Sequence, residues 1–156
     1  MNAELNERLA RLLRQRSTAA LGTLHAGAPF VSMVPYAIAG HGFLIHVSRL
    51  AAHTKDMLAD ARVSLFVCEA EGGKSPLALM RVTVEGEAHA VAAAPEREAL
   101  KAAYLARFPD AEELFGFVDF SLFLIRPNTA RFVAGFGQAH SLTGESLLNL
   151  LQAERA

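Results

Sequence analysis

Leu5, Leu9, Leu12 and Leu13 recur at helical spacing while Glu4, Glu7, Arg8 and Arg11 take the opposite side, so residues 3–16 read as an amphipathic helix that caps a barrel. From Thr18 the pattern becomes strand-like. Runs over 19–25, 30–38 and 43–47 are separated by Ala26-Gly27-Ala28 and Ala39-Gly40-His41-Gly42, which predicts two successive hairpins. A short helix over 51–60 comes next, then a strand over 62–69, a glycine-rich loop over 70–75 and a long strand over 77–91. Pro95 opens another helix at the first-turn position that proline tolerates, and Pro109 ends it, with a further turn over 111–115. Strands over 119–125 and 129–134 close the sheet. Leu142, Leu147, Leu148, Leu150 and Leu151 mark a C-terminal helix capped by Thr143, with Ser146 in the third helical position.

Six or seven strands with short connections and only peripheral helices predict a mainly β (α+β) fold, an antiparallel barrel, because parallel strands would each demand a crossover helix. A βαβ arrangement is the competing reading. No linker, repeat or low-complexity segment divides the 156 residues, so one domain is expected. Composition adds one feature. Hydrophobic residues make up 52% of the chain, high for a soluble monomer of this size, which predicts an apolar surface reserved for a second copy. No apolar run reaches the roughly 20 residues of a membrane span, and Glu4 and Glu7 stand where a signal peptide would be basic and then apolar. A cytoplasmic protein without a membrane partner is expected. A formal net charge of −1 offers no field to gather nucleic acid, which also drops out as a partner.

Several chemical signals dissolve on inspection. Cys68 is the single cysteine and sits in an apolar run, so a small buried hydrophobe is the expected role. Glu71-Gly72-Gly73-Lys74-Ser75 resembles the end of a phosphate loop, but Cys68 occupies the place of the leading glycine and Pro76 blocks the helix that such a loop feeds. His41, His46 and His53 match no zinc spacing. The informative stretch is FLIHVSRLAAHTKDMLADARVSLFV, residues 43–67: a strand, a Ser-Arg corner, a short helix carrying His53, Thr54 and Lys55, and another strand. Ser48, Arg49, Thr54 and Lys55 place hydroxyls and cations near a helix N-terminus, where amides and dipole favour an anion such as a phosphate. Arg81, with Thr83 one strand step further, could add a second clamp. Two or three charge-assisted contacts at about 1.5–3 kcal/mol each would supply much of the roughly 8 kcal/mol of micromolar binding. A solvated helix cap without a ligand is the other reading of the same residues.

That strand, corner, helix and strand resemble the pyridoxamine 5′-phosphate oxidase-like split barrels, and the likeness in layout runs along nearly the whole chain. PFVSMVPYAI (29–38) is similar to the family's flavin-facing second strand, and RVTVEGEAHAV (81–91) to its long arginine-bearing strand. The resemblance implies a split β-barrel holding flavin mononucleotide (FMN), with Lys55 and Thr54 on the phosphate, Ser48 and Arg81 assisting, and Ser32, Met33 and Val34 facing the isoalloxazine. It also implies a homodimer with the pocket between subunits and a flavin-dependent oxidoreductase acting on a small molecule. RFVAGFGQAHSLTGESLL (131–148) resembles the haem-utilisation subgroup of these barrels, which makes haem the alternative ligand. His140 would then reach the iron, with a solvated or helix-capping histidine as the competing role, and Gln138 would contact the flavin or the neighbouring subunit. Members of that subgroup often carry an additional C-terminal domain, and true pyridoxamine phosphate oxidases end in a substrate-binding Arg-x-His. Neither is found in this sequence, which turns the expectation away from vitamin B6 oxidation.

Overall fold

The computed structural model describes residues 1–153. Helix α1 (Ala3–Gln15) starts where the Asn2 side chain accepts the Leu5 amide, and it buries Leu9, Ala10, Leu12 and Leu13. Strands β1 (Thr18–His25) and β2 (Ala28–Pro35) form a hairpin whose turn uses positive φ at Ala26 and Gly27. Strands β3 (Ala37–Ala39) and β4 (Gly42–Ser48) form the next, followed by α2 (Ala52–Ala59) and β5 (Arg62–Cys68). After β6 (Arg81–Ala90) come α3 (Ala94–Arg107), β7 (Phe120–Val133), β8 (Ala139–Thr143) and α4 (Gly144–Ala153).

All pairings are antiparallel, in the order β2-β1-β5-β6-β7-β4-β3, with β8 also paired to β7. Among the described residues the two ends of that order are not paired, so the sheet curls into a split barrel rather than a closed one. Its interior holds Leu21, Phe43, Ile45, Leu65, Val84, Phe123 and Phe132, with α1 and α4 contributing Leu9, Leu13, Leu147 and Leu151. A second apolar cluster joins α3, through Tyr104, to the outside of β3, β4 and β7, through Ala37, Leu44 and Leu122. No helix among the described residues is long and apolar enough to cross a membrane.

Four boundaries differ from the sequence pattern. The expected strand over 30–38 is two strands, broken after Pro35, where the Tyr36 amide turns to the Ser17 carbonyl and its phenol to the Leu13 carbonyl. The strand over 77–91 starts only at Arg81, after a 3₁₀ turn at Pro76–Ala78. The strands over 119–125 and 129–134 are one strand that runs through Pro127. Proline is tolerated there because β4 pairs with Phe120 to Ile125 of β7 and β8 with Thr129 to Val133, leaving the missing N–H in the gap between them. Finally, β8 adds a strand that the leucine pattern of the C-terminus concealed, giving eight strands where six or seven were expected.

Candidate functional site

Ser48 is the last residue of β4, and its hydroxyl donates to Asp119 Oδ2 at 2.9 Å while accepting the Leu50 amide at 3.1 Å. The Arg49 amide donates to the Asp119 carbonyl at 2.6 Å, and its guanidinium to the Ser121 hydroxyl at 3.1 Å. Thr54 is fully buried and donates to the Ser48 carbonyl at 2.7 Å. Both hydroxyls of the expected phosphate cradle are therefore already donating within the chain, and a carboxylate stands beside them. What stays open is the start of α2: the capping position is Ala51, which has no side-chain acceptor, the first turn has no acid, and Lys55 is exposed.

Polar side chains fix α2 to the hairpin below it. His53 Nδ1 lies 3.0 Å from the Ser32 hydroxyl, while its Nε2 is buried without a partner, and burial pulls the imidazole below its ordinary pKa. One turn on, buried Asp56 accepts the Thr23 hydroxyl at 2.8 Å and pairs with His25 Nδ1 at 2.7 Å. Burial pushes the Asp56 carboxyl up, but the hydrogen bonds from Thr23 and His25 outweigh it and hold the group below the usual carboxylate range. Sequence reasoning missed Asp56, Thr23, His25, Asp119 and Ser121. The spacing of Thr23 and His25, which places both on one strand face, was the available signal.

The remaining expected residues lie elsewhere. Ser32 and Val34 point inward, Val34 into the core, whereas Met33 between them is 66% exposed on the outer face. Arg81 pairs with Val133 and Thr83 with Arg131, whereas Ser48 pairs with Phe120 near the opposite end of the β6–β7 ribbon. Ten residues of β6 at about 3.3 Å each put Arg81 roughly 30 Å along that ribbon from the corner, so a single chain does not bring them together. Gln138 and His140 share a groove of about 370 Å³ between α1 and β8, with Arg8 and Glu4 on its other wall. The Arg8 guanidinium donates to the Ala134 carbonyl at 2.8 Å, tying α1 to the turn Gly135-Phe136-Gly137, whose glycines both take positive φ and whose phenylalanine is 83% exposed. His140 is half-buried, and its ring makes no hydrogen bond among the described residues. Across those same residues, no three histidine, cysteine or acidic side chains gather as a bare metal site would require.

An open antiparallel barrel with an anion-friendly helix start at one place and an imidazole-bearing groove at another defines a small split-barrel protein with two candidate sites. The chain belongs to the pyridoxamine 5′-phosphate oxidase family, whose model matches residues 5–134. It is 29% identical over 162 residues to the heme oxygenase HutZ of Vibrio cholerae, covering 99% of this chain and 90% of that one. It is 36% identical over 122 residues to the chloroplastic heme oxygenase HOZ of Arabidopsis thaliana, covering 78% of this chain but spanning only 36% of the plant protein. Among solved structures, a heme-binding protein from Mycobacterium smegmatis superposes with a TM-score of 0.85 at 28% identity, over 96% of this chain and 62% of that one.

The residues present can be set against each group. Haem asks for a donor to its iron, apolar walls and cations for its carboxylates, and the groove offers the His140 imidazole, Leu5 and Arg8, with the exposed Phe136 next in the chain to its Gly137. Those three fit, with Arg8 shared with the Ala134 carbonyl, while the Glu4 carboxylate in the same groove opposes the haem carboxylates. A flavin phosphate finds less in one chain: Lys55 and the uncapped amides of α2 fit it, while the Asp119 carboxylate opposes it.

Proposed function

We propose that this chain is a haem-binding protein of the haem-utilisation kind, with His140 as the donor to iron. The observation that supports the reading most is its extent: HutZ, a protein named as a heme oxygenase, aligns with 99% of the chain. Bound haem would supply redox-active iron. The protein's own residues would do the holding, His140 at the metal, Arg8 at the carboxylates, and Leu5 and Phe136 along the macrocycle. Titration of the protein with haemin tests this directly. A Soret band distinct from that of free haemin is expected, and it changes in His140→Ala. A band unaltered by that substitution removes His140 as the ligand, and no band at all sinks the haem reading.

A second reading is FMN at the corner, which makes the protein a flavin-dependent oxidoreductase. Its specific support is the open first turn of α2 beside Lys55 and Arg49. Because Arg81 and Thr83 stand at the far end of the ribbon from that corner, this reading includes a homodimer in which a second copy supplies them. Residues 32–34, on the unpaired edge of β2, would then meet the isoalloxazine. Flavin fluorescence quenched on binding, and binding weakened in Lys55→Ala, are the expected results; unchanged affinity in the variant takes Lys55 out of the site. A cytoplasmic setting belongs to both readings.

A further inference from the structure

His46 stands on β4 beneath α3 and the 3₁₀ segment Pro109–Gly116, and it is 6% exposed. Neither ring nitrogen has a partner. The imidazole lies flat on Phe115, with centroids 3.7 Å apart and planes at 6°, and is edged by Tyr104 at 5.9 Å and Phe120 at 5.3 Å. The groups facing it are Arg97, Lys101 and Tyr104 from α3, Phe115 from the 3₁₀ segment, and Phe120 and Leu122 from β7. Glu112 is engaged by Lys101 at 3.4 Å, and Arg97 by Glu98 at 3.5 Å. A neutral imidazole is tolerated in such a cage. An imidazolium would place two unsatisfied donors and a buried charge beside two cations.

The segment that closes the cage is weakly held. None of its residues is buried, and it is held by Phe115, stacked on His46 beneath the Lys101 ammonium, by Ala111 against the Tyr104 cluster, and by the partly exposed Lys101–Glu112 pair. It continues through Phe117 and Val118 into Asp119, whose carboxylate takes the Ser48 hydroxyl and whose carbonyl takes the Arg49 amide.

We propose that Pro109–Gly116 is an acid-operated latch: neutral His46 keeps it closed, and protonation of His46 releases it together with the Asp119 hold on Ser48 and Arg49. Burial, with Arg97 and Lys101 adding to it, lowers the caged imidazole to about 4, whereas a ring exposed by opening returns to its ordinary 6.5. The proton therefore favours the open form as pH falls from 6.5 toward 4, and the opening equilibrium rises about twenty-fold between pH 7 and pH 5. Opening also removes a carboxylate from the corner and frees a hydroxyl, so affinity for a phosphate there rises with acid. That last consequence rests on the flavin reading, and the latch does not.

Amide hydrogen exchange by NMR on the full chain, corrected for intrinsic rates, tests it. Between pH 7 and pH 5 the amides of Ala111, Phe117 and Arg49 are expected to lose about twenty-fold in protection, while Leu65 and Val84 in the core keep theirs. In His46→Phe, which preserves the stack without a titrating group, the loss disappears. Protection that is independent of pH in the wild type, or an equal loss in His46→Phe, overturns the latch. Should that variant not fold, the His46 ring proton in the wild type decides: a midpoint below 5 supports the cage and an ordinary midpoint near 6.5 overturns it. An Arg49 amide that stays protected while Ala111 and Phe117 open overturns the Asp119 coupling.

Discussion

Two glycines of the barrel carry opposite expectations. A Cβ at Gly86 would stand 2.2 Å from the backbone oxygen of Arg126, where β7 closes against the bulge in β6, and backbone cannot turn aside. At Gly22 the nearest atom, 2.5 Å away, is the Ser64 hydroxyl, which can rotate. Urea unfolding should therefore show Gly86→Ala losing about 3 kcal/mol or more and Gly22→Ala about 1 kcal/mol or less. Similar losses at both would mean that the close approach at Gly86 relaxes. What could be read at this scale depended on chain separation. Ser48, Arg49, Thr54 and Lys55 fall within eight residues, so their gathering at one corner was legible from a strand meeting a helix. Asp119 and Ser121 enter the same corner from some seventy positions away, through the β4–β7 register, and no local pattern announces them. The same holds for His46: strand alternation set its facing, but the aromatic lid over it comes from a segment without periodicity of its own.

At the scale of elements, α2 is the one whose sequence and position disagree. It is eight residues long, uncapped, and buries only Thr54, Asp56 and Met57, so its place on the barrel depends on polar pins to β1 and β2 more than on an apolar face. Ala51→Asp would cap its first amides and stabilise the protein by about 1 kcal/mol. The same carboxylate would occupy the place an anion needs, so flavin affinity should fall as stability rises. Unfolding and flavin titrations on one preparation check both, and a stabilised variant with unchanged flavin affinity takes the helix start out of the flavin reading. The other helices were plain in the sequence because each has an apolar stripe or a proline start, as Leu9, Leu12 and Leu13 in α1 and Pro95 in α3 illustrate. Strand ends were not. Pro35 and Pro127 look alike as interruptions, yet one ends β2 and the other passes through β7, because what decides is whether a neighbouring strand needs the absent N–H.

For the whole molecule, the decisive feature is the outer face of the sheet. The register aligns Met33, Ala20, Phe66, Thr83, Arg131 and Ser141 in one row across six strands, and Val31, Gly22, Ser64, Glu85 and Thr129 in the next. Val31 is 67% and Phe66 41% exposed, and a groove of about 510 Å³ runs between the β2 edge and Arg62. An antiparallel sheet keeps one face wet at no penalty, so a wet face should alternate to polar residues; this one does so on β6 and β7, and on β5 at Arg62 and Ser64, but fails to on β2 and at Phe66. The 52% hydrophobic composition therefore has a location. A second copy seated there needs roughly 800 Å² from each partner, which a face of five or six strands can provide. Sedimentation should accordingly find twice the 16.8 kDa of one chain. The double variant Val31→Glu, Phe66→Glu should sediment as a folded monomer, because both side chains point away from the core and their loss leaves the barrel interior intact. If flavin binding disappears with the dimer, the pocket is shared between copies and Arg81 reaches the corner across the interface. If the monomer still binds flavin, the corner works alone and Arg81 has no part in it, and a wild type that sediments as one chain leaves the apolar rows to some other partner.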